Sequence, residues 1–332
     1  MPSASAIRSF ATPRVDLDSL ADVLACPDDG ARLRNATPVI ACEACGRRFA
    51  AAEDGVMDLR PLKPAALPAS AERNASYWRE YASEFAREYA PDPKAIAWGA
   101  PEASSTEWLQ KRLRQVQAMR PLVADSKFAR LQVFCDIAAG AGHYTLAYAP
   151  AFQRVLHCDL SVENLSYAAR KAAQLGIRNI AFLRVDYFSP PFRRSLDRIV
   201  CCDTLIRGER HEEMLLGTIR ASLKPGGRAV VDFHNWWHNP LRRVGLLPQN
   251  FGTNRSYARR EAEKLLRAAG ASDFEYFPFH QEFLAGARSG AIVASVIPPT
   301  RLVYRFGGEV RGANADQHPV NSSHEEFHVA QL

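Results

Sequence analysis

Asp136, Asp159 and Asp186 each close a short apolar run, and that repetition is the strongest chemical signal in the chain. Val133, Phe134 and Cys135 read as a buried strand ending at Asp136. Ala138, Ala139, Gly140, Ala141 and Gly142 follow as a turn where backbone can approach a ligand closely. A Gly-x-Gly turn alone also serves purely steric ends. Arg154 to Asp159 is a second such strand, and Asp159, 17 residues beyond Gly142, stands where two ribose hydroxyls can be held. Asn179 to Val185 is the third, and the Asp186-Tyr187 pair after it suits the amino group and ring of an adenine. Any one of these acids could be a solvated strand-end carboxylate, but three in series describe a nucleotide-type site.

A second group of chemically competent residues lies near the N-terminus. Cys42-Glu-Ala-Cys45-Gly is a knuckle of the kind that holds zinc, and Cys26 precedes it within the same turn-rich stretch. A matching Cys-x-x-Cys would need cysteine at position 29, where the chain has Asp29. Two readings stay open. A carboxylate oxygen of Asp29 completes a tetrahedral Zn²⁺ site with Cys26, Cys42 and Cys45, or the segment keeps its shape by packing while Asp28 and Asp29 turn the chain before Gly30. Cys135, Cys158, Cys201 and Cys202 fall in or at the ends of apolar strands, where cysteine behaves as a small hydrophobe.

The elements that must position these residues follow a β–α rhythm. Ser161 opens a helix, SVENLSYAARKAAQLG, with Leu165, Ala168, Ala169 and Ala172 on one face. LDRIVCCDTL is a fourth strand, and Leu223-Lys-Pro-Gly-Gly227 turns into a fifth over Arg228 to Phe233. ARREAEKLLRAAG is an amphipathic helix whose Ala262, Leu265, Leu266 and Ala269 face inward, with Gly270 ending it. DFEYFPFHQEF and TRLVYRF then read as antiparallel closing strands. Upstream, Trp78, Tyr81, Phe85 and Tyr89 form an aromatic stripe on one helix. Ser104 to Glu107 starts another, which Trp108, Leu109, Leu113, Val116 and Met119 continue.

Composition bounds the whole. With 332 residues, 47% hydrophobic and 23% charged, the chain is an ordinary globular one, long enough for an α/β domain plus an appended piece. No window reaches about 18 apolar residues, and the N-terminus lacks the apolar core of a signal peptide, so the expectation is a cytoplasmic protein with no membrane contact. A net charge of +6 permits an anionic partner such as RNA, yet the Lys/Arg excess is spread out rather than blocked into a nucleic-acid arm.

From about residue 131 to 235 the order of these pieces resembles a class I S-adenosylmethionine-dependent methyltransferase. The carrying motifs are Asp136-Ile-Ala-Ala-Gly-Ala-Gly142, CDLS with Asp159, VDYF with Asp186, LDRIVCCDTL and LKPGGRAVVDF, of which LKPGG is the most specific. The resemblance implies a seven-stranded, doubly wound Rossmann-like α/β sheet. It implies S-adenosyl-L-methionine held by Asp136, Ala138, Gly140, Gly142, Asp159, Leu160, Asp186, Tyr187 and Cys202. Ala138 and Ala139 stand where the family often has glycine and cysteine. Leu205-Ile206-Arg207 replaces the family's Leu-Glu-His, so the usual histidine near the methyl acceptor is missing, and His211 is expected at the surface.

Residues 21 to 61 are similar to the small zinc ribbon that precedes, or joins as a subunit, several methyltransferases, and the resemblance implies a small N-terminal β domain. The expected order is a loose N-terminus over 1–20, the ribbon over 21–61, a proline-rich linker over 62–73, a helical lid over 74–125, the methyltransferase core over 126–310 and a polar tail over 311–332.

The methyl acceptor is expected at the carboxyl end of the fifth strand, where open parallel sheets bind ligands and where His234, Asn235, Trp236, Trp237, His238 and Asn239 cluster. His234 or Asp203 is the candidate base. Arg242, Arg243, Arg255, Arg259 and Arg260 make the following stretch basic, suited to a carboxylate or phosphate or else simply a solvated helix face. The favoured activity is methylation of an oxygen or nitrogen of a small metabolite or glycan. Ribosomal or transfer RNA methylation and a non-catalytic S-adenosylmethionine-binding protein are the alternatives.

Overall fold

A computed structural model describes residues 17–64, 107–124, 129–205, 210–235, 246, 256–279 and 299–307. The aromatic stripe from Trp78 to Tyr89, residues 236–239, Arg207, Arg242, Arg243, Arg255 and the C-terminal tail lie outside them.

The described chain centres on one sheet of nine strands. Five parallel strands form its middle: β5 (Val133–Ile137), β6 (Arg154–Asp159), β7 (Ile180–Arg184), β8 (Leu196–Cys201) and β9 (Leu223–Asn235). Across the sheet the order runs β11 (Phe274–Phe279), β12 (Arg301–Gly307), β9, β8, β5, β6, β7 and β4 (Val56–Asp58), while β10 (Ser256–Tyr257) pairs β9. β12 runs antiparallel between β9 and β11, so the closing hairpin turns back into the sheet as the sequence pattern predicts. The strand order reverses around β5 and β8, and the crevice beyond their carboxyl ends is the ligand position for such a sheet. The Leu223 to Gly227 turn is absorbed into β9 as an irregularity, because its pairing with β8 shifts between Leu196 and Arg198.

Each helix follows its apolar face. α1 (Leu17–Val23) belongs to the N-terminal unit, and α2 (Glu107–Val123) buries Leu113, Val116 and Met119 against the sheet. α3 (His143–Tyr148) leaves the glycine turn directly. α4 (Val162–Gln174) is capped by Ser161, whose Oγ accepts from Asn164 N at 3.2 Å, and buries the expected Leu165, Ala168, Ala169 and Ala172. α5 (His211–Ser222) and α6 (Arg259–Ala268) pack together. In α6, Ala262 and Leu266 are fully buried, while Leu265 and Ala269 pack at the edge of the core.

The N-terminal unit folds as a three-stranded antiparallel sheet of β1 (Leu33–Ala36), β2 (Val39–Cys42) and β3 (Arg48–Phe49). Its continuation, β4, does not stay in that small sheet. It pairs in parallel with β7, Val56 opposite Phe182 and Asp58 opposite Arg184, and so becomes an edge strand of the large one. Ala25 N donates to Pro191 O at 2.8 Å, and Arg193 N donates to Val23 O at 3.0 Å. Leu20, Leu24, Leu33, Ile40, Met57 and Leu59 share a single apolar cluster with Leu183 and Val185 of the sheet. Burying each such side chain is worth about 1.5–3 kcal/mol, so this contact outweighs any single polar tie across it.

Candidate functional site

The glycine turn is shaped from both sides by acids. Asp136 is buried and accepts from Thr145 N at 3.0 Å and from Thr145 Oγ1 at 2.6 Å, which ties the end of β5 to the first turn of α3. Thr145 Oγ1 lies 2.8 Å from Nδ1 of the buried His157. Burial pushes the Asp136 carboxyl up to about 7, against the pull of the Thr145 donors. Asp159 accepts from Gly140 N and from Ser161 N, both at 2.8 Å, so one carboxylate fixes the turn and starts α4. Burial raises its pKa too, opposed by those same donors.

Gly142 has φ +83°, and a Cβ there would lie 3.2 Å from the His157 ring and 3.3 Å from Ala168, so glycine is required twice over. Gly140 has φ +55° with nothing within 4 Å of a Cβ position: the turn is open on that side, as a ligand cradle must be. Ala138 takes φ +56° without being glycine, a conformation that costs an L-residue about 1–2 kcal/mol.

Just beyond β7, Asp186 is buried and its Oδ1 accepts from Phe188 N at 2.9 Å. Tyr187 packs on Phe188 at 4.6 Å between ring centroids, and its hydroxyl lies 3.3 Å from His211 Nε2. The structure corrects one expectation here. His211 is fully buried, edge-on to Phe188 at 5.0 Å, rather than at the surface, because α5 turns its first residue inward against the aromatic pair. Leu160 contributes its carbonyl to Arg184 Nε at 3.0 Å, and Cys202 is buried at the end of β8 with burial raising its thiol.

Both candidate bases meet. Asp203 follows β8 and His234 ends β9, and Asp203 Oδ1 lies 3.0 Å from His234 Nε2. Asp203 has φ +61°, a strained backbone of the kind that persists where surrounding contacts hold it. Those contacts are charged. Arg112 of α2 and Arg301 of β12 both form ion pairs with the Asp203 carboxylate. Arg301 reaches Asp232 Oδ2 at 3.3 Å, Gln115 Nε2 donates to the same oxygen at 3.0 Å, and Asp203 N donates to Asp232 Oδ1 at 2.7 Å. Against the cost of burial, Arg112 and Arg301 hold the Asp203 carboxyl well below the usual range. Burial first, then the Arg301 charge, lowers the His234 pKa. Asp203 is therefore a carboxylate and can only accept, so Nε2 donates and Nδ1 of the neutral ring carries the lone pair. Sequence reasoning missed Arg112, Gln115, Asp232 and Arg301; the alternation of Asp232 and His234 along β9 was the one available hint. Asn235 donates Nδ2–H to Pro299 O at 2.7 Å, which ties the end of β9 to the segment just before β12.

The N-terminal cysteines also converge. Ligand atoms of Cys26, Asp29, Cys42 and Cys45 all lie within 4.8 Å of one another. The Cys26 and Cys45 sulfurs are 3.8 Å apart, and Cys42 Sγ lies 3.4 Å from Asp29 Oδ2. Tetrahedral zinc with sulfur at about 2.3 Å and oxygen at about 2.0 Å requires edges of about 3.8 and 3.5 Å, so the donor set fits the ion in size and type. Ala44 N and Cys45 N donate to Cys42 Sγ at 3.3 and 3.4 Å, the backbone arrangement that stabilises a thiolate. Among the described residues no helix is long and apolar enough to cross a membrane.

Residues 134–227 match the family model described as a methyltransferase domain. No curated protein matches the chain. Among solved structures, phosphoethanolamine N-methyltransferase 2 of Haemonchus contortus, in complex with phosphomonomethylethanolamine and S-adenosylhomocysteine, is 16% identical. That match covers 74% of this chain and 62% of that one, with a TM-score of 0.48. Geranyl diphosphate C-methyltransferase from Streptomyces coelicolor A3(2) is 18% identical over 73% of this chain and 98% of that one, TM-score 0.47. An S-adenosylmethionine-dependent methyltransferase from Clostridium acetobutylicum ATCC 824 is 15% identical over 71% and 98%, TM-score 0.43. Thus the chain spans less than two thirds of the Haemonchus enzyme, and likenesses at this level say nothing about its acceptor.

Proposed function

For a chain whose residues 134–227 form an S-adenosylmethionine-dependent methyltransferase domain, we propose that the reaction is methyl transfer to an oxygen or nitrogen of a small metabolite or glycan, with His234 as the base. The observation that carries this reading is the His234–Asp203 pair, 3.0 Å apart at the carboxyl ends of neighbouring strands β9 and β8. β8 in turn borders β5, whose end carries the glycine turn. Donor and base thus share one edge of the sheet.

The residues of the turn fit the cofactor: an open backbone at Gly140, and acids at the ends of β6 and just beyond β7 for ribose and adenine. When bound, S-adenosylmethionine supplies a methyl group already activated on a sulfonium. His234 Nδ1 takes the proton that the acceptor O–H or N–H gives up, and Asp203 stabilises the resulting imidazolium through its Nε2–H. Asp159 positions the ribose and, through Gly140 N, the turn beneath it. α2 reaches the pair from one side, Arg112 through its ion pair with Asp203 and Gln115 through Asp232, and the small-acceptor reading is favoured over a folded RNA because the positive charge of the chain is scattered rather than clustered. Cys26, Asp29, Cys42 and Cys45 would hold Zn²⁺ at the N-terminal site, where its role would be structural.

Incubation with methyl-labelled S-adenosylmethionine and either a small-molecule extract or total RNA tests the acceptor class. Label is expected in the small-molecule fraction; label confined to RNA overturns the reading. His234→Gln is expected to lower the rate about 10²–10⁴-fold at unchanged cofactor affinity, and full activity in that variant removes His234 as base.

A further inference from the structure

We infer that Arg301 is a positioning residue for methyl transfer, bridging Asp203 to Asp232 so that His234 presents neutral Nδ1 to the acceptor. The inference rests on the reading of His234 as base and extends it to a residue that never touches the reacting atoms.

The geometry is specific. Arg301 stands directly opposite His234 in the β12–β9 register, and the same guanidinium nitrogen, Nη1, meets Asp203 Oδ1 and, at 3.3 Å, Asp232 Oδ2. Asp203 Oδ1 is also the atom that faces His234 Nε2. The guanidinium, the carboxylate and the imidazole therefore form a chain that meets at one carboxylate oxygen.

Exposure separates the members in a telling order. The Asp232 side chain is 0% exposed, Arg301 9%, Asp203 18% and His234 35%, so the chain runs from a sealed anchor to an open base. A core built only for stability would place apolar groups here, since burying ions costs more than it returns unless each is fully bonded.

The groups facing His234 account for its state. Asp203 approaches from the end of β8, Arg301 from β12 and Asp232 from its own strand, while Arg112 of α2 and His143 of α3 face Asp203 from the far side. Arg112 and Arg301 balance Asp203 and Asp232, leaving the cluster neutral when both histidines are neutral. Removing Arg301 leaves two carboxylates against one arginine, which favours the charged imidazolium. Arg112 also pairs with Asp203, but from α2, whereas Arg301 stands opposite His234 in the strand register and touches the same Asp203 oxygen that the imidazole does.

Histidine-labelled protein, with His234 assigned by the loss of its signal in His234→Gln, gives the ring's titration midpoint and neutral tautomer by NMR without any acceptor. In the wild type the neutral ring is expected as the Nε2–H tautomer with a midpoint below that of free histidine. Arg301→Met is expected to raise the midpoint and mix the tautomers while S-adenosylhomocysteine affinity by calorimetry stays within about 3-fold. Arg301→Lys, which keeps the charge, is expected to restore the low midpoint. Where Arg301→Met fails to melt cooperatively, Arg301→Gln, neutral and still a donor, replaces it with the same expected rise. An unchanged midpoint and tautomer in the folded neutral variant overturn the inference. Full methyl transfer by His234→Gln alongside a raised midpoint would instead remove the base assignment and leave the Arg301–His234 coupling standing.

Discussion

Replacing Asp159 tests the cofactor site most directly, because this carboxylate fixes the glycine turn and is the group proposed to hold the ribose. Its two backbone bonds, to Gly140 N and Ser161 N at 2.8 Å each, are charge-assisted and worth about 1.5–3 kcal/mol apiece to a buried acceptor. Ribose hydroxyls would add comparable bonds from the ligand. Asp159→Ala removes both sets. Losing about 3–4 kcal/mol of ligand contact corresponds to an affinity for S-adenosylhomocysteine lower by about 10²–10³-fold. Asp159→Asn keeps the size and one acceptor oxygen, but turns an amide NH₂ toward one of the two N–H donors. It should fall between, about 10-fold weaker. Calorimetry gives the affinities, and thermal melting of the ligand-free variants separates a disordered turn from a lost contact. If Asp159→Ala melts cooperatively and binds S-adenosylhomocysteine as tightly as the wild type, the ribose assignment is wrong and the acid serves the fold alone.

Three further outcomes follow from the same geometry. Asp136 has its folded pKa raised to about 7, well above an unfolded carboxyl, so its contribution to stability is complete below about pH 4 and is lost as pH rises through about 7. Asp136→Asn should flatten the melting temperature over that window, and an unaltered pH dependence would show that this acid ionises normally. Zinc stoichiometry by elemental analysis is expected near one per chain, to fall in Asp29→Ala and to persist with tighter retention against chelator in Asp29→Cys; a wild-type value near zero sinks the metal site. Ala138→Gly should stabilise the protein by about 0.5–1 kcal/mol, since relief of the φ +56° strain exceeds the entropy glycine adds to the unfolded chain; a lower denaturant midpoint would contradict the assigned conformation.

The core of the fold is legible because its periodicities are local. β6 occupies the predicted Arg154–Asp159, Ser161 caps the helix it was expected to start, and the two closing strands pair antiparallel as read. Each of these depends on hydrophobic alternation, a cap residue or a turn, all written within a few neighbouring positions. The His211 expectation failed for a related reason: a helix start rich in charge reads as surface, and only packing against Tyr187 and Phe188 turns its first ring inward. β4 illustrates the limit on the other side. Its short Val-Met-Asp run carries no sign of whether it closes the small sheet or joins the large one, and parallel pairing with β7 is decided by a partner more than a hundred residues away.

The sequence by itself determined which residues are chemically able: three strand-end acids, a glycine turn, a cysteine knuckle with Asp29 at the fourth position, and His234 and Asp203 as candidate bases. Only the tertiary structure decided which of them act together. Asp203 and His234 lie 31 positions apart, and Arg301 and Arg112 are farther still, so no spacing rule connects them. Ion pairs and proton affinities depend on distance through space and on exclusion of water, and both are set by how strands β8, β9 and β12 and helix α2 close on one another. A definite nitrogen on a definite ring can be proposed as the base only because that closure places two arginines against one carboxylate.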